Sequence, residues 1–83
     1  MATIEHPTLF EEVIDFLAST PTPEQIIAFR PSDPIQQRAR DLLDKQRTST
    51  LTANEQRELD ELGTLNHFMS MLKIRARQKL NAA

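Results

Sequence analysis

The chain has no cysteine, no tryptophan and no tyrosine, and only one glycine among its 83 residues. Without cysteine there is neither a disulfide framework nor a thiolate metal site. A single glycine cannot build a glycine-rich phosphate loop. With aromatics limited to four phenylalanines, and with Leu, Glu, Gln and Arg abundant, the composition favours helix over sheet. No run of 18 apolar residues occurs, so no membrane-spanning helix is expected. Glu5 and His6 stand where a secretion signal would carry basic residues ahead of an apolar stretch, so the expectation is a cytoplasmic protein with no membrane partner.

A chain of this length builds one core, and residues 1–83 are expected to form a single helical domain. The net charge of −2 hides a strong order along the chain. Residues 1–29 carry Glu5, Glu11, Glu12, Asp15 and Glu24 and no basic side chain. Residues 30–47 are mostly basic, and residues 48–62 carry Glu55, Glu58, Asp60 and Glu61 against Arg57 alone. Residues 63–83 carry Lys73, Arg75, Arg77 and Lys79 with no acid. Such minus, plus, minus, plus blocks can pair within a fold, across a dimer or with a partner.

Four helical segments follow from periodicity and punctuation. From about Thr8 to Ala18, Leu9, Phe10, Val13, Ile14 and Leu17 recur at helical spacing. Thr22, Pro23 and Gln25 form a helix start for a short second segment that must end before Pro31, with Ile26, Ile27 and Phe29 facing the core. Ser32 is the expected N-cap of a third helix through about Arg47, with Ile35, Ala39, Leu42 and Leu43 on one stripe. Thr52 and Glu55 form a capping box for a fourth helix running to Leu80. Its inward stripe reads Leu59, Leu62, Leu65 or Asn66, Met69, Leu72, Ala76 and Leu80, widened by Phe68 and Ile74, whereas Phe16 and Met71 fall off the inward stripes. Gly63 within it marks a kink, a break or a close helix approach. The expected fold is all-α: a small bundle in which helices three and four form a hairpin covered by the first two. A continuous fourth helix would be about 42 Å long against roughly 30 Å for a compact globule, so it either breaks or overhangs.

Little in this pattern suits catalysis. His6 and His67 are the only imidazoles, and His67 has no second ligand at helical metal spacing. Glu55, Glu58, Asp60 and Glu61 sit where a helix start wants negative charge. No enzyme activity, cofactor or metal is expected. The carboxy-terminal segment is more informative: Phe68, Met71, Leu72, Lys73, Arg75, Arg77 and Lys79 combine an apolar seam with a basic collar spread over about 200° of helix arc. These seven residues are the expected partner-binding set, in the helix-in-groove manner. Nucleic acid is the lesser alternative, because four cations with no aromatic interleaving supply only salt-sensitive attraction. A second seam, Leu59, Leu62, Gly63, Asn66, Met69 and Ala76, has the spacing of a helix pair and predicts an antiparallel homodimer with acidic ends against basic ends.

The segments EQIIAFRPSDPIQQRARDLLDKQRTSTLTANEQRELDEL and HFMSMLKIRARQKL cover about two thirds of the chain. Together they resemble a group of short bacterial helical proteins, some of them antitoxin-like components of addiction modules. The resemblance implies a small accessory protein without catalytic residues. In that group a glycine is expected in the turn between the third and fourth helices, where this chain has Arg47-Thr48-Ser49-Thr50. The reading is therefore a non-enzymatic helical protein that binds a partner protein, as an antitoxin-like or accessory component. A DNA-associated regulator using the basic carboxy-terminal helix and a structural assembly factor are the alternatives.

Overall fold

The computed structural model describes residues 8–82. Among the described residues there are four helices and no strand: α1 (Leu9–Ala18), α2 (Pro23–Ile27), α3 (Asp33–Thr48) and α4 (Ala53–Ala82). Residues 1–7, with Glu5 and His6, and residue 83 lie outside the described residues.

Three helix starts use the same device. Thr8 accepts a bond from the amide of Glu11 at 3.2 Å and returns its own amide to Glu11 Oε1 at 2.8 Å. Thr22 does the same with Gln25, and Thr52 with Glu55 at 2.9 and 3.1 Å. Each reciprocal pair satisfies two orphan donors of a helix terminus. The box at Thr8 escaped the sequence reading, although the Thr-x-x-Glu spacing is there. Ser32 differs from expectation: it occupies the N-cap of α3 but makes no capping bond. Its N3 residue is Ile35, which offers no reciprocal acceptor, and its hydroxyl donates instead to the Glu12 carboxylate, which also accepts the Ser32 amide at 3.0 Å. This tether ties the start of α3 to α1.

The core joins Leu9 and Val13 of α1, Ile35 of α3 and Met69 of α4, with Phe16, Leu17, Phe29, Leu62, Leu65 and Leu72 packed against it. Phe16 is thus partly buried against the core, contrary to the stripe reading, because Phe29, just past the end of α2, meets it with ring centroids 4.7 Å apart. The choice between Leu65 and Asn66 on the inward line of α4 falls to Leu65, with Asn66 exposed. Phe68, Ile74 and Leu80, assigned to the inward side, are exposed. The elements in front of α4 are too short to wrap a stripe that wide. Leu43 is also a correction: on α3 Leu42 is 1% exposed and Leu43 48%, because a step of 100° turns one leucine in and its neighbour out.

α4 runs through Gly63 without a break. At 1.5 Å per residue its 30 residues extend about 45 Å, and the molecule measures 49 × 31 × 18 Å. The helix therefore overhangs the body made by α1 to α3. The α3–α4 turn has no left-handed residue; Ser49 is extended at φ −159°, so the turn does not require the glycine expected there. The one left-handed non-glycine residue among those described is Thr20, at φ 52°, just past the end of α1.

Candidate functional site

The middle two charge blocks pair with each other. Arg38 of α3 grips Glu58 of α4 through two bonds of 2.8 and 2.9 Å. Lys45 holds both oxygens of Glu55 at 2.8 Å. The Lys45 ammonium, helped by the Thr52 amide, pulls the Glu55 carboxyl down to about 2 from its ordinary 4.5. These pairs stitch the α3–α4 hairpin on the side where α4 begins. The outer blocks remain separate: Glu11, Asp15 and Glu24 form no ion pair with the basic end of α4.

Within the basic end, the fold sorts the expected partner-binding residues into two groups. Leu72 packs against the core, and half-buried Lys73 donates to the Phe29 carbonyl at 2.9 Å. Both are engaged within the chain. Phe68 and Met71 are 46% and 48% exposed. Arg75, Arg77 and Lys79 are exposed and have no hydrogen-bond or ion-pair partner among the described residues. At about 100° per residue, Phe68, Met71, Arg75 and Lys79 fall within about 80° of arc, a quarter turn from the buried line of Leu62, Leu65, Met69, Leu72 and Ala76. The result is one outward strip, apolar towards the body of the protein and cationic towards the tip. Arg77 points to the opposite side of the helix.

The expected dimer seam is divided as well. Met69 and Ala76 are buried at 5% and 3% exposure, and Leu62 packs on the core, so this part of the seam faces the chain's own helices. Leu59 is half-buried, while Gly63 and Asn66 are exposed, and a Cβ at Gly63 would meet no atom within 4 Å. They border an open groove of about 540 Å³ between α3 and α4. Ile35, Ala39 and Leu43 form its α3 wall, and Leu59, Leu62 and Gly63 its α4 wall. The sequence reading missed this groove. Its signal was the small residues Gly63, Asn66 and Ser70 on one line of α4, but a groove requires knowing how far α3 stands off. Phe10 and Ile14 of α1 are also about half exposed, on a separate helix.

Among the described residues, no group of three or more His, Asp or Glu is placed to hold a metal ion, and no helix is long and apolar enough to cross a membrane. No protein-family model, curated protein or solved structure matches the chain.

Proposed function

We propose that this is a non-enzymatic, cytoplasmic binding protein that uses the outward strip of α4 to capture a partner protein, in the manner of an antitoxin or other small accessory component. The observation that carries the reading is the strip itself: Phe68 and Met71 half exposed beside Arg75 and Lys79, which have no partner among the described residues. An isolated exposed apolar residue is ordinary, but two on one line with aligned cations match what an amphipathic helix docks on. The fitting partner is an apolar helix face flanked by carboxylates. Apolar burial would supply the affinity, and the cations the approach and the orientation. Self-association of two chains belongs to the same reading, since a small core gains from a second copy. Nucleic acid is weaker, because Lys73 is occupied by Phe29 and three cations remain for phosphate contacts.

The test is co-expression of the tagged chain with its neighbouring open reading frames, alongside purification from native cells. One partner protein should co-purify in fixed ratio. A Met71→Asp, Arg75→Glu chain with unchanged circular dichroism should retain at most a tenth of it. Recovery of the protein alone, or a partner held equally well by the variant, overturns the proposal. Duplex DNA affinity that falls steeply with salt would instead favour the DNA-associated role.

A further inference from the structure

The groove between α3 and α4 has a self-complementary neighbour in the chain's own sequence. On α4 the residues Leu59, Gly63, Asn66, Ser70 and Ile74 recur at spacings of three and four, which places them on one line of the helix. Leu59, Gly63 and Asn66 line the groove, and Ser70 and Ile74 continue the line beyond it towards the tip of α4; the line lies about 145° round from the outward strip of Phe68, Met71, Arg75 and Lys79. Its order is large, small, small, small, large, and it reads nearly the same in reverse. Most of it is uncovered among the described residues: Leu59 is half-buried, but Gly63 faces open space, Asn66 and Ser70 are exposed, and Ile74 is 51% exposed. Across the groove, Leu43 stands equally uncovered.

We infer that a second copy of this chain fills the groove, its α4 lying antiparallel along the first so that Ser70 of the second copy meets Gly63 and Ile74 of the second copy inserts between Leu59 and Leu43. This deepens the self-association in the proposed function by naming the surface and the register. Three features single out a second copy as the occupant. The contact is isologous, because reversing the line exchanges Leu59 with Ile74 and Gly63 with Ser70, which a two-fold axis requires. Gly63 then has a role that the monomer does not give it: an open helix face tolerates any side chain, whereas a crossing helix needs the missing one. The charges also agree. Lys45 and Arg38 engage Glu55 and Glu58, and Arg77 has no ion-pair partner among the described residues. Antiparallel packing carries Arg77 of the second copy to the far end of the groove, one helical turn from Asp60. A parallel arrangement would set the basic ends side by side. The dimer leaves the outward strip of both copies accessible, so the two surfaces can work together.

Light scattering across a hundredfold dilution should give twice the chain mass at the concentrated end. Gly63→Gln fills the crossing without touching the monomer, and Ile74→Lys removes the inserted side chain. Each should weaken dimerisation at least tenfold while helicity is retained by circular dichroism. Arg77→Glu should weaken it too, and Arg77→Glu with Asp60→Arg should recover most of the loss. The chain lacks native cysteine, which permits a direct test of register. Gly63→Cys with Ser70→Cys should form an intermolecular disulfide under mild oxidation, since such a bond needs Cβ atoms about 4 Å apart, and neither single variant should do so. A monomer mass throughout, an undiminished Gly63→Gln dimer, or a cross-link by Gly63→Cys alone overturns the inference. Partner capture that survives Gly63→Gln but not Met71→Asp separates this contact from the partner-binding surface.

Discussion

The ammonium of Lys73 donates to the carbonyl of Phe29 at 2.9 Å, across 44 residues of sequence. Phe29 follows the C-cap of the short α2, and its ring also meets that of Phe16 in a tilted pair. One lysine therefore fastens the exit of α2 to the long helix and is withdrawn from the basic collar in doing so. Replacing it with methionine keeps the apolar stem but leaves a partly buried carbonyl without its donor. Lys73→Met should lower stability by about 1–2 kcal/mol in urea denaturation while leaving partner capture unchanged, whereas Arg75→Gln should do the reverse.

Adjacent leucines of α3 should respond very differently. Leu42 is the most completely buried large side chain, and Leu42→Ala should cost about 2–4 kcal/mol. Leu43→Ala should cost under about 1 kcal/mol in the monomer, because half of that side chain is already in water. Denaturation at low protein concentration measures both without any contribution from dimerisation.

Two backbone positions carry removable cost. Gly63 lies mid-helix with open space around it, so Gly63→Ala should raise monomer stability by up to about 1 kcal/mol. Thr20 is β-branched and left-handed at φ 52°, and Thr20→Gly should relieve roughly 1 kcal/mol of strain, less what glycine adds to the flexibility of the unfolded chain. Thermal unfolding of the two single variants and the double should show additive shifts, since the sites lie on separate elements.

Acid should loosen the α3–α4 hairpin through Glu55. The Lys45 ammonium first, and then the Thr52 amide, hold its folded-state value near 2 against an ordinary 4.5. Its contribution is fully present above about pH 4.5 and is lost as the pH falls towards 2. Glu55→Gln keeps an acceptor for the Thr52 amide and removes the charge. The variant should be less stable than the parent at neutral pH, and the difference should vanish near pH 2. A gap that persists there would place the contribution in packing.

Helix number, helix type and most boundaries were written in local sequence. Thr22-Pro23-Glu24-Gln25 and Thr52-Ala53-Asn54-Glu55 satisfy their own orphan donors within one turn, so no distant contact is needed to set where α2 and α4 begin. The all-α class and the overhang of a proline-free fourth helix follow from the same local rules. What local rules leave open is the facing of each helix and the use of each charge. Periodicity offered α4 a stripe wide enough to include Phe68 and Ile74; only the short reach of α1 and α2 decided that they stay in water. Ser32 has the chemistry of a cap, yet Glu12, twenty residues earlier, takes its hydroxyl. The basic run reads as four equivalent cations until Phe29 claims Lys73. Whether Gly63 lines a kink, a crossing or open space depends on how far α3 stands from α4. That distance is set by side chains remote in sequence, which meet only after the chain has folded.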